Sequence, residues 1–187
     1  METRMLNMAT EFRTAEIEGR KYIEGYFSVF DDVYELWDDV TESVDRNAFN
    51  DTLDGDIRVL VNHDTRLVLG RNKAGTAEFR TDDHGLWGRV EINPNDSDAV
   101  NTWERVKRGD VNQASFGFQI LSEKTDRNGD KVHFTLMKVR LHEVSVCTFP
   151  AYNSTSLSAR GADEDHIKKR KFELWRSQQE ERINKWH

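Results

Sequence analysis

Apolar and polar residues alternate over residues 12–17 and 22–30, the period of a half-buried strand, with Glu18-Gly19-Arg20 as the turn between them. Residues 36–44 are acidic and irregular, after which Asp45-Arg46-Asn47-Ala48-Phe49 is set to cap and begin a short helix through about Leu53. Compact apolar strands are predicted over 57–62 and 67–70, and a pair of strands over 77–81 and 86–92 around Asp82-Asp83-His84-Gly85. Asn93-Pro94-Asn95-Asp96 interrupts the strands. Asp96 or Ser97 then caps a helix in which Val100, Trp103 and Val106 share a face, and Gly109 stops it. Two long strands follow, 111–121 and 131–147, joined at Asn128-Gly129-Asp130, a strong hairpin signal; Pro150 ends the second.

Beyond this point the pattern changes. Residues 153–161 are rich in Ser, Thr and Ala, and 163–186 read as a charged helix whose apolar positions, among them Phe172, Leu174 and Trp175, are sparse and imperfectly periodic. The expected organisation is a β-rich body over 1–158 and a linker with a charged helical tail over 159–187. A body of about 150 residues buries roughly 68–70% of its unfolded surface, enough for a core without covalent staples.

Composition narrows the classes. Among 187 residues there is one cysteine, Cys147, so an internal disulfide is excluded and a reducing compartment is expected. Its place in a strand reads as a small buried hydrophobe rather than a nucleophile. No apolar run is long enough to span a membrane, and Met1-Glu2-Thr3-Arg4-Met5 opens no signal-peptide core, so a cytoplasmic protein is expected. The net charge of −7 argues against nucleic acid as the main partner; the basic run Lys168-Lys169-Arg170-Lys171 lies in the tail beside acidic residues and reads as a solvated helix face. No metal-ligand spacing is present: the one cysteine has no His-x-x-x-His pair to join.

Three segments carry candidate chemistry: Val61-Asn62-His63-Asp64, Ala114-Ser115-Phe116-Gly117-Phe118 and Leu141-His142-Glu143-Val144-Ser145. Serine attack on a peptide needs a base to take the hydroxyl proton and a third group to orient that base. If the strand over 57–62 continues, His63 ends a stripe shared with Ile57, Val59 and Val61. Ser115 alternates with Gln113, Gly117 and Gln119, opposite the apolar Ala114, Phe116, Phe118 and Ile120. It is thus expected to project from the polar face, with the missing side chain of Gly117 leaving room for a substrate backbone. Alternation groups Glu143 with Val139 and Leu141, turned inward, where a carboxylate needs a partner such as an imidazole. His142, in line with Lys138 and Arg140, and Asp64 remain alternatives for the third position. Ser115 lies in no Gly-x-Ser-x-Gly elbow, which leaves an α/β-hydrolase reading without support.

Taken in order, Tyr26-Phe27-Ser28-Val29-Phe30, Asn62-His63-Asp64 with Leu69-Gly70-Arg71, Ala114-Ser115-Phe116-Gly117-Phe118 and Glu143-Val144-Ser145-Val146 running into Phe149-Pro150-Ala151-Tyr152-Asn153 resemble the prohead proteases of tailed phages, which are similar in fold to the herpesvirus assemblins. The resemblance covers residues from about Glu16 to about Ser158. It implies a mainly β fold, an assemblin-like, mostly antiparallel closed or nearly closed barrel wrapped by a few helices. It also implies a serine endopeptidase with His63 as base and Ser115 as nucleophile, needing no cofactor. For the third member the phage motif implies Glu143, whereas the herpesvirus relatives use a second histidine. Arg71 is an oxyanion-hole candidate by resemblance alone. The implied partners are the major capsid protein or its scaffolding segment, the enzyme itself through autoproteolysis, and a second copy in a homo-oligomer, all inside the assembling prohead in the host cytoplasm. The competing reading is a non-catalytic capsid assembly or scaffold module with the same fold.

Overall fold

The computed structural model describes residues 4–9, 12–129 and 131–148, and in the tail Lys169, Phe172, Glu173, Trp175, Arg176 and Glu180. The predicted linker and most of the predicted tail helix lie outside the described residues. Two compact units divide at Asn153 and Ser154.

Among the described residues of the first unit are eleven strands and one α-helix: β1 (Arg4–Ala9), β2 (Arg13–Ile17), β3 (Arg20–Val29), β4 (Tyr34–Trp37), β5 (Val40–Val44), β6 (Arg58–Val61), β7 (Asp64–Arg71), β8 (Ala77–Thr81), β9 (Gly85–Glu91), α1 (Ser97–Arg108), β10 (Gln113–Asn128) and β11 (Lys131–Cys147). The mainly β expectation holds. A closed barrel does not form. The strands make two sheets instead, a four-stranded one in the order β2-β3-β9-β8 and a seven-stranded one in the order β1-β10-β11-β5-β4, with β6 on β11 and β7 on β6.

The reason lies along one edge of β11. Both β5 and β6 pair there, in parallel: Val40–Val44 against Val132–Leu136, and Arg58–Val61 against Glu143–Val146. The sheet therefore branches, and β1, β4 and β7 are left as end strands. In the gap between the two parallel partners, the segment expected to be a helix after Asp45 forms successive four-residue turns instead, Ala48 N–H to Asp45 O and Asn50 N–H to Asn47 O among them. Its groups serve β11 rather than a helix. The Val139 N–H donates to Ala48 O at 3.1 Å, and the Leu141 N–H donates to the buried Thr52 hydroxyl at 2.8 Å. Residues 36–44, irregular as a sequence, fold into the β4–β5 hairpin because Asp39 takes the left-handed conformation that the tight turn requires.

The helix α1 follows its signals closely. The Asp96 carboxylate caps the Asp98 and Ala99 amides, Gly109 closes the C-terminus at φ +85°, and Trp103 is buried with its indole N–H on Tyr22 O. One apolar core spans both sheets, with Phe27, Phe49, Phe116 and Phe118 fully buried and the Phe49 and Phe116 rings edge to face at 5.6 Å. Thus β10 presents Ala114, Phe116 and Phe118 to the core, and Ser115 and Gly117 to the other face.

Candidate active site

His63 does not continue a strand. β6 stops at Val61, which pairs with Asp64, so Asn62 and His63 form a two-residue hairpin turn, both at positive φ (50° and 59°). Those values are those of a type I′ turn, whose twist suits a hairpin but which only glycine and asparagine adopt easily. Three contacts hold this conformation on β11. The Asn62 N–H donates to Val146 O, the Asn62 carboxamide oxygen accepts from the Thr148 N–H at 2.9 Å, and the His63 N–H donates to the Ser145 hydroxyl at 3.1 Å. The expected stripe of Ile57, Val59, Val61 and His63 is therefore broken, and the turn carries the imidazole over β11.

There the ring meets Glu143: Nδ1 and Oε1 are 2.6 Å apart, and both side chains are nearly buried, 11% and 14% exposed. The inward placement expected for Glu143 with Val139 and Leu141 is incorrect. Along the β10–β11 ladder Gly117 pairs with Glu143 but Phe118 pairs with Leu141, so His142 is an extra residue at a bulge. The bulge reverses the facing of everything beyond it. Leu141 stays with Phe118 in the core, while Glu143, Ser145 and Cys147 join Gly117, Ser115 and Gln113 on the opposite face. One inserted residue thus brings the carboxylate to the face of Ser115.

Gly117 also differs from expectation. A Cβ on it would stand 2.3 Å from Glu143 Oε1 and 3.1 Å from the carboxyl carbon. The space left by its missing side chain is filled by the Glu143 carboxylate, not kept for a substrate.

Ser115 lies on the next strand, directly opposite Ser145, where side chains on facing rungs stand about 5 Å apart at Cβ. It has no exposed surface. This corrects the projecting serine expected from alternation alone: the face is polar, yet covered. On the neighbouring rung Cys147 faces Gln113, and its Sγ lies 3.9 Å from His63 Nε2. Burial, then the nearby Glu143 charge, pushes the Cys147 thiol up to about 12, so it stays protonated. The fold gathers His63 and Glu143 in direct contact and sets Ser115 one rung and one strand away on their face.

Other candidates are occupied elsewhere. Asp64 turns to Arg66, whose guanidinium holds its carboxyl down at about 2. Arg71 grips Asp56 through Nε at 2.6 Å and Nη2 at 2.8 Å, an ion pair. Sequence reasoning placed Ser145 and Asn62 in the candidate segments but gave neither a role. Ser145 donates to Glu143 Oε2 at 2.7 Å while accepting from His63, and Asn62 ties the turn to the end of β11. The usable signal was the Glu143-x-Ser145-x-Cys147 alternation, readable only once the bulge is known. No group of three metal-binding side chains occurs among the described residues.

An imidazole oriented by a carboxylate, with a serine on the adjoining strand of the same face, has the parts of a serine hydrolase. A family model described as caudovirus prohead serine protease matches residues 8–170, and the chain belongs to that family. Among solved structures, the capsid assembly protease gp21 of bacteriophage T4 is similar in fold, with a TM-score of 0.53 at 12% identity over 80% of this chain and 98% of that one. No curated protein matches the sequence. No helix among the described residues is long and apolar enough to cross a membrane.

Proposed function

We propose that this chain is a serine endopeptidase of prohead maturation that cuts the scaffolding or capsid protein, and itself, with His63 as base, Ser115 as nucleophile and Glu143 as the group that orients the base. The 2.6 Å bond between His63 Nδ1 and Glu143 Oε1 carries the reading. A carboxylate can only accept, so Nδ1 carries the proton and Nε2 keeps its lone pair. Nε2 then takes the Ser115 proton as the serine oxygen attacks the scissile carbonyl. The leaving amine receives that proton, and water hydrolyses the acyl-enzyme by the same route. Glu143 stabilises the imidazolium formed in between.

Co-expression with the capsid precursor tests the reading. Ser115→Ala and His63→Ala are each expected to abolish processing in a folded protein, and Glu143→Gln to lower it by up to roughly 10⁴-fold, with His142→Ala mild. Undiminished processing by Ser115→Ala would remove the nucleophile. A greater loss for His142→Ala than for Glu143→Gln would give the third role to His142. A non-catalytic module would show no cleavage even in the wild type.

A further inference from the structure

The Ser145 hydroxyl stands where the two halves of the base meet. It has no exposed surface and makes two bonds, donating to Glu143 Oε2 at 2.7 Å and accepting from the His63 backbone N–H at 3.1 Å. The roles are forced. A backbone N–H only donates, an ionised carboxylate only accepts, and a serine hydroxyl has one proton to give and lone pairs to receive. The single proton of Ser145 therefore belongs to Glu143.

Each bond fixes a different degree of freedom. With Oε1 on the imidazole and Oε2 on Ser145, both carboxylate oxygens are held and rotation of the group is stopped. The other bond fastens the backbone of a residue in a left-handed conformation that histidine rarely adopts. Ser145 is itself anchored on both sides by the ladder, opposite Ser115 on β10 and Leu60 on β6. One buried side chain on the central strand thus sets the position of base and orienter together.

We propose that Ser145 is a positioning residue for the His63–Glu143 pair, acting on turnover through the alignment of that pair and not through contact with substrate. The inference rests on the reading of the site given above. Loss of a hydrogen bond to a charged group corresponds to about 10- to 100-fold in rate. Ser145→Ala is therefore expected to lower kcat by about that factor, counted per active site titrated with a fluorophosphonate, while KM for purified capsid precursor stays within about twofold. Ser145→Thr, which restores the hydroxyl, is expected to recover most of the loss. Added to Glu143→Gln, Ser145→Ala is expected to cost far less than it does alone, since both act on one unit.

Wild-type kcat in Ser145→Ala overturns the proposal. So does an equal loss in the Ala and Thr variants accompanied by a lowered melting temperature, the mark of a packing role alone. Should Ser145→Ala fail to fold, Ser145→Cys, close in size with a weak S–H donor, replaces it: intermediate turnover is expected, and full turnover overturns. Ser115→Ala run alongside separates the two levels. If it cleaves like the wild type, the underlying reading falls; if it is inactive while Ser145→Ala is normal, only the role of Ser145 falls.

Discussion

Two residues of this chain work by what they forgo. Gly117 forgoes a side chain so that the Glu143 carboxylate can lie against its backbone, and His63 forgoes the ordinary right-handed backbone to occupy a turn. The first has a sharp consequence. In Gly117→Ala the new methyl group would crowd Oε1, and the carboxylate must shift from its place beside Nδ1. A misplacement of about 1 Å in a catalytic group can cost about 100-fold. Precursor cleavage by Gly117→Ala is expected to fall by at least that much with a melting curve close to wild type; normal cleavage would separate Glu143 from the chemistry. Cys147 gives a second prediction at this scale. Its folded pKa, raised to about 12 from an ordinary 9.0, keeps it protonated in the native state while an unfolded chain ionises. Folding then binds the extra proton, so its contribution is intact below pH 9 and is lost as pH rises toward 12. Denaturant titrations from pH 8 to pH 11 should show a steeper loss of stability in the wild type than in Cys147→Ala. Parallel slopes would mean that the thiol is not held protonated.

At the scale of elements, β11 is the organiser. Its edge takes β5, then a loop, then β6, and beside the loop the Val139 and Leu141 amides find substitute acceptors in Ala48 O and the Thr52 hydroxyl. Thr52→Val keeps the shape but removes the acceptor of the Leu141 N–H, which should cost about 1–3 kcal/mol. A shift in denaturant midpoint at unchanged slope would show it; an unmoved midpoint would mean that the amide finds another partner. The facing sheet is held differently: Arg13, Glu24, Arg89 and Glu78 form an alternating row of ion pairs across all four of its strands. How much of this was legible follows from which signals are local. The cap at Asp96 (one of the two positions expected), the Gly109 stop, the Asn128-Gly129 turn and the core face of β10 are written in neighbouring residues. Register is not. Counting back from the Asn128–Lys131 pair would set Ser115 against Val144, whereas the irregular rungs along the hairpin leave it against Ser145. The sequence therefore named Glu143 as the partner of His63 through an alternation that the fold does not follow. The turn at His63 escaped because tertiary bonds from Ser145 and Val146, not local propensity, hold its backbone.

At the scale of the molecule, the first unit contains the two sheets, the core and every residue of the proposed mechanism. A chain ending at Gly161 is expected to melt as cooperatively as the full one and to cleave soluble precursor. A lost transition would place tail residues among those that stabilise the body. The order of assembly matters too. The histidine precedes its carboxylate by 80 residues. β1 has no ladder until β10 exists, and β5 and β6 have only their hairpins with β4 and β7 until β11, the last strand described, receives them. A ribosome making this protein therefore carries His63 long before Glu143 can orient it, and a chain interrupted between Ser115 and Glu143 holds histidine and serine without the carboxylate. Under the proposed mechanism, latency during synthesis is thus a property of strand order: His63 and Glu143 cannot meet before β11 is laid down.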